Sequence, residues 1–203
     1  MTPDASAIAT PRPAAAPPIP LYPFELDRAQ IQQFLPHRGD ILFVRHLRVL
    51  SHDHYIGQAC WDAVGAGIAG HFPECPVVPA VFLIEAAAQI AGAGMLAGDP
   101  IARRNAPGRV GMLAGTRRCS FTRPVRPGDV LTYELTARQV GDDFAQVKGT
   151  AQLGSLPVAQ FELLVAQAPL DKLAEFLPVD DLRRGSAGVF GFPLQGDTST
   201  QHP

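Results

Sequence analysis

The sequence predicts an α+β domain, a bent antiparallel β-sheet wrapped around one long buried α-helix. Three observations lead to this. The segment "AVFLIEAAAQIAGAGML" (80–96) is apolar on nearly every face, which marks a helix buried all round rather than one lying on a surface. After it the period changes, and four strand-like segments follow one another across turn chemistry. At 203 residues the chain is long enough for one domain with a sizeable core and short for two.

The first 23 residues hold seven prolines. Proline fixes φ and cannot donate to a helix or sheet ladder, so residues 1–22 read as a disordered or extended tail. They lack the basic start and continuous apolar centre of a secretory signal. "DRAQIQQFL" opens a short helix, with Asp27 as N-cap and Gln30 three residues on, close to a capping box. "ILFVRHLRVL" and "HYIGQACW" are strand-like, and the polar "SHDH" between them makes a hairpin. A Gly/Pro-rich loop follows. Pro79 suits the first turn of the apolar helix, where its missing N–H costs nothing. Beyond the helix come "RVGMLAGTRRCSFTRPV", "DVLTYELTARQV", "FAQVKGTAQL" and "LPVAQFELLVA". In the second of these Val130, Thr132, Glu134 and Thr136 point one way, and Leu131, Tyr133, Leu135 and Ala137 the other. The folded body is expected over 23–180. Residues 181–203 read as a loose tail whose Phe190 and Phe192 could dock on it.

Composition excludes several classes. A net charge of −2, with 18% charged and 46% hydrophobic residues, is that of a globular protein and gives no reason to expect nucleic acid as partner. Cys60, Cys75 and Cys119 have neither metal-like nor disulfide-like spacing, which fits a reducing, cytoplasmic compartment. Every apolar run is interrupted by Gly, Pro or polar members before the roughly 18 residues of a membrane span, so no span is expected.

The chemistry concentrates in "GHFPECPVVPAVFLIEAAAQ" (70–89). His71 precedes a proline-rich turn, and Glu85, fourteen residues on, lies in the apolar run. Each has a bland reading, a structural loop histidine and a satisfied core carboxylate. An unpaired buried carboxylate is costly, however, and a base and an acid together look like a site. The helix beginning near Pro79 also offers free N–H groups and the positive end of its dipole.

Several separated blocks resemble the FabZ-type (3R)-3-hydroxyacyl-[acyl-carrier-protein] dehydratases of the hotdog-fold superfamily. They are "FLPHR" (34–38), "GHFP" (70–73), "PVVPAVFLIEAAAQIAG" (76–92), "LAG" (113–115), "FTRPVRPGD" (121–129) and "VKGTAQLGSLPVAQFELLVA" (147–166). The resemblance implies that His71 and Glu85 are the catalytic pair, contributed by different protomers of a homodimer. The residues suit that chemistry. Histidine titrates near neutrality and can take the C2 proton. A carboxyl group in an apolar setting is expected to stay protonated and to serve as acid at the C3 hydroxyl. The Ala80 N–H is the candidate donor to the thioester carbonyl. Gly70, Phe72, Pro79, Ala80 and Gln89 are the candidate substrate-binding residues, with Gln89 either bonding structurally or orienting Glu85. No cofactor is implied.

Arg117, Arg118, Arg123 and Arg126 form a basic cluster on the strand after the helix. It reads either as a solvated face or, as the resemblance implies, as a dock for the acidic acyl carrier protein. His52 and His54 flank Asp53 but make a poor metal site without a third ligand, so none is expected. His37 and Arg38 are expected to anchor the N-terminal helix rather than to act chemically. The chain departs from the family pattern at Ala80 and Glu74, where glycines are usual, and in "RGDILFVRHL", which lacks an aromatic-proline pair and an Asp-Arg. "AVGAGIAGHFP" also has small residues where a more polar approach is common. The resemblance implies fatty-acid biosynthesis or a specialised polyketide or polyene pathway; these changes bear on substrate shape and fit the specialised one. Three alternatives stand beside a dehydratase. One is a dehydratase-isomerase, which typically carries Asp where Glu85 stands. The others are a thioesterase, which the "GHFP" block does not suggest, and a noncatalytic acyl-binding module.

Overall fold

The computed structural model describes residues 18–63 and 65–179. The tail 181–203, with the docking expected of Phe190 and Phe192, and residues 1–17 of the N-terminal tail lie outside the described residues.

A short strand β1 (Phe24–Asp27), not foreseen from the sequence, runs directly into α1 (Arg28–Ile31). The capping box forms at that junction. The Gln30 N–H donates to Asp27 Oδ1 at 2.8 Å, and the Asp27 N–H donates to Gln30 Oε1 at 2.9 Å. Before β1, Tyr22 donates its hydroxyl to the Gly98 carbonyl and stacks on Phe24. The hairpin follows as β2 (Val44–Ser51) and β3 (His54–Cys60), turning at His52 and Asp53.

The central helix α2 spans Ala80–Gly98. Pro79 stands one place earlier than expected, as N-cap rather than in the first turn, and its carbonyl accepts the Phe82 N–H at 2.9 Å. Leu83, Ala86, Ala87, Ile90, Ala91, Ala93 and Ala97 are buried. Two glycines set the depth of this contact. A Cβ on Gly57 would lie 2.6 Å from Ile90 Cδ1, and one on Gly94 would lie 2.5 Å from Tyr55 Cδ1, so helix and sheet meet where side chains are missing.

The helix is not buried all round, which corrects the expectation. Val81 is 64% exposed, and Glu85, Ala88, Gly92 and Leu96 are half-buried along the same stripe. An apolar composition does not say which side the sheet leaves open. By length and composition α2 could also cross a membrane, but 56% of its most apolar window is buried inside this fold. A short helix α3 (Pro100–Asn105) follows, capped by Asp99, which accepts the Ile101 N–H at 2.7 Å.

The remaining strands are β4 (Arg109–Phe121), β5 (Val130–Val140), β6 (Phe144–Leu153) and β7 (Leu156–Pro169), with a helical turn α4 (Leu170–Leu173) after them. All seven strands join one antiparallel sheet in the order β1-β2-β3-β5-β6-β7-β4. Only β5, β6 and β7 form the expected meander. β4 lies at the far edge, against β7, because long-range pairing is not written in local period. β5 buries Leu131, Tyr133, Leu135 and Ala137 as its alternation predicts. α2 touches β2, β3, β5, β7 and β4, strands spread across the whole sheet, which curls round the helix in the hotdog arrangement.

Candidate active site

His71 is placed by backbone. The 3₁₀ turn Gly65–Gly70 ends immediately before it, and the His71 N–H donates to the Ile68 carbonyl at 2.9 Å. Phe72, next along, has φ +60°, a left-handed conformation that a phenylalanine rarely adopts and that reverses the chain just after the histidine. The Phe72 ring meets the imidazole edge-on, with centroids 4.6 Å apart. The imidazole Nδ1 lies 2.9 Å from the Val77 carbonyl oxygen. A carbonyl only accepts, so Nδ1 carries a proton, and in the neutral ring Nε2 keeps the lone pair.

A cavity of about 360 Å³ opens here, shared by His71, Val77, Ala80, Leu83, Phe121 and Arg123. The first residue of α2 and the histidine therefore face the same space, with Pro79 immediately before. Gly70 ends the turn before His71 and the Phe72 ring packs on the imidazole; both are exposed and neither lines the cavity.

Glu85 opens into a different cavity, of about 250 Å³, with Phe34, Pro36, His37, Gln89, Leu96 and Met112 among its walls. Side chains hold it. Gln89, one turn on, donates to Glu85 Oε1 at 2.9 Å, and His37 Nε2 lies 3.1 Å from the same oxygen. Gln89 is in turn fixed by backbone, donating to the Ile41 carbonyl at 2.7 Å and accepting the Phe43 N–H at 3.0 Å. It is therefore both a structural bridge and an orienter of Glu85.

The expected direction of the Glu85 pKa is overturned. The hydrogen bond from His37 holds the carboxyl below its ordinary value, burial opposes it, and the bond from Gln89 adds to the lowering. The apolar neighbours in sequence are real, but His37, the first cause of the lowering, reaches in from 48 residues away, and Gln89 adds to it from one turn on. His37 is thus the neighbour of Glu85 that sequence reasoning missed; its place in the "LPHR" block was visible, its contact was not. Arg38 anchors the local turn, donating to the Leu35 carbonyl at 2.6 Å and the His37 carbonyl at 2.7 Å.

The four arginines do not form one patch on one strand. Arg117 and Arg118 lie on β4, whereas Arg123 and Arg126 lie in the connection to β5. Arg123 alone lines the His71 cavity, and Arg117 sits 3.8 Å from Glu162. His54 faces Glu134 across β3 and β5 at 3.0 Å, away from His52, which lies 3.8 Å from Asp53. Among the described residues no three His, Cys, Asp or Glu side chains gather as a metal site.

Comparison with known proteins adds a family. The FabA-like domain matches residues 68–160. The chain is 34% identical over 142 residues to the 3-hydroxyacyl-[acyl-carrier-protein] dehydratase FabZ of Geobacillus thermodenitrificans, covering 70% of this chain and 94% of that one. The FabZ of Bacillus pumilus is 33% identical over 145 residues, covering 71% and 97%. Among solved structures, the dehydratase heterocomplex ApeI:P from Xenorhabdus doucetiae superposes with a TM-score of 0.57 at 20% identity, over 73% of this chain and 97% of that one, which is a likeness of fold.

Proposed function

This chain belongs to the FabZ family of 3-hydroxyacyl-[acyl-carrier-protein] dehydratases, and on that premise we propose that it removes water from (3R)-3-hydroxyacyl thioesters on acyl carrier protein, leaving trans-2-enoyl thioesters. The pathway is fatty-acid synthesis or a specialised polyketide or polyene route. One observation carries the assignment of the site: His71 is held in the tautomer that leaves Nε2 as a base, beside the first N–H of α2.

His71 Nε2 takes the proton from C2. The C2–H electron pair becomes the second bond of C2=C3, the C3–O bond breaks, and a proton from Glu85 joins the departing hydroxyl as water. Acid and base groups of this kind each contribute roughly 10²–10⁴-fold. The Ala80 N–H donates to the thioester carbonyl, where charge develops; such a donor is worth roughly 2.7–4 kcal/mol. The elimination is redox-neutral and calls on no cofactor.

Within one chain the two groups open into different cavities, so we read the working site as shared by two copies, His71 from one and Glu85 from the other. The exposed stripe of α2 and the outer edge of β4 support that pairing. Covering Glu85 with a second copy and with substrate strips water from its carboxyl, which works against the His37 and Gln89 bonds and lets it hold the acid's proton. The apolar walls beside Glu85 suit an acyl chain. Arg123 at the His71 cavity, with Arg117, Arg118 and Arg126 beyond it, suits the acidic carrier protein.

Intact-mass spectrometry of 3-hydroxyacyl carrier proteins of several chain types, incubated with the protein, tests the reaction. Loss of one water is expected. Unchanged mass for every chain type would leave a noncatalytic acyl-binding module. Mixing inactive His71→Ala and Glu85→Ala protomers should restore about one intact site per mixed dimer. A mixture that forms dimers but stays inactive would sink the shared site.

A further inference from the structure

We infer that His37 is a positioning residue for Glu85: with Gln89 it pins the carboxylate through Oε1 and leaves Oε2 as the oxygen that exchanges a proton with the substrate. This rests on the reading of Glu85 as a reacting group.

The two bonds converge. His37 Nε2 and Gln89 Nε2 lie 3.1 and 2.9 Å from the same carboxylate oxygen. Gln89 cannot flip, because its amide oxygen accepts the Phe43 N–H and its nitrogen donates to the Ile41 carbonyl. His37 is held from the other side. Leu35, two residues before it, donates its N–H to the Ile31 carbonyl at 3.2 Å, and Arg38 ties the Leu35 and His37 carbonyls together.

The ring has one polar use within the described chain, since its Nδ1 is buried and has no hydrogen-bond partner. A proton on Nδ1 would be a buried donor without an acceptor, a costly arrangement. The imidazole therefore keeps its proton on Nε2, facing Glu85. No other titratable side chain lines this cavity among the described residues, and the Arg38 guanidinium is turned to the two carbonyls. The lowering of the Glu85 pKa has the His37 bond as its first cause, in keeping with this geometry.

The test compares wild type, His37→Leu and His37→Gln. Leucine fills the space without a donor; glutamine sets an amide N–H close to the lost Nε2. Removing the donor raises the pKa of Glu85. An acid works only while protonated, so the alkaline limb of the kcat profile moves to higher pH in His37→Leu. kcat falls by up to about 10²-fold, since a loosened reacting group costs that much. KM is little changed, and His37→Gln recovers most of the rate. A carbon-13 titration of the Glu85 carboxyl, assigned by its absence in Glu85→Gln, reads the same shift without turnover.

An unmoved carboxyl titration in folded His37→Leu overturns the inference, even if Glu85→Gln is inactive. An acid-side limb that moves up instead keeps the His37 hold and removes the acid role from Glu85. Wild-type turnover by Glu85→Gln removes the reading of Glu85 on which the inference stands.

Discussion

The two halves of the proposed site are built differently. His71 hangs from a loop and is fixed by main chain, by its own N–H to Ile68 and by its ring to the Val77 carbonyl. Glu85 rides on a regular helix and is fixed by side chains, His37 from the segment after α1 and Gln89 from one turn on along the same helix, itself tied to the backbone before β2. A group held by main chain has a geometry that substitutions nearby leave largely intact. A group held by side chains can be retuned one substitution at a time. In the proposed pair His71 is the rigid partner and Glu85 the adjustable one.

Glu85→Gln breaks the comparison most severely. Gln keeps the volume and a hydrogen-bonding end but is a very poor proton donor, so turnover should fall by roughly 10²-fold or more. Glu85→Asp keeps the acid one methylene short and should retain part of the rate. A merely structural Glu85 predicts the reverse, with Gln tolerated and Asp harmful through a void. Single-turnover assays on variants shown by circular dichroism to be folded separate the two.

Gln89→Leu should have an intermediate effect and a mixed signature. It strips partners from the Ile41 carbonyl, which is near solvent, and from the buried Phe43 N–H, at about 1–3 kcal/mol for the buried group left unpaired. It also removes the second lowering bond on Glu85, so the carboxyl titrates higher, the same direction expected for His37→Leu. Thermal melting together with the carboxyl titration should show both changes. A lowered melting point with an unmoved titration would mean that Gln89 serves the fold alone.

The smallest effect concerns the rim. Arg123→Glu, at the His71 cavity, should raise KM for a carrier-bound substrate roughly 2- to 5-fold, in a salt-dependent way. Arg117→Glu, 72% exposed and already near Glu162, should change KM less. Equal effects would mean that the carrier does not distinguish the two positions.

Much of this was legible in local pattern. The Asp27–Gln30 capping box, the hairpin, the alternation of β5 and the apolar run of α2 each follow from residues within one or two turns of each other. β1 was hidden because "FELD" is short and follows a proline-rich tail. α3 could have been found, since Asp99 before Pro100 is an N-cap followed by a first-turn proline. The edge position of β4 and the reach of His37 to Glu85 join parts of the chain far apart in sequence, and no period records such contacts. For the same reason the pKa of Glu85 was misjudged: its apolar neighbours in sequence argued for a raised value, and a distant donor reversed it.

β4 has a consequence for assembly valence. It is a thirteen-residue strand at the sheet's edge, while the opposite edge is the four-residue β1, where Glu25 lies 3.4 Å from His46. A sheet with two equivalent long edges would invite growth in both directions, copy upon copy. Here one edge is long and the other blunt. In the two-copy assembly proposed above, like edges meeting across a two-fold axis would use each other up, and the association would terminate instead of propagating into a fibre.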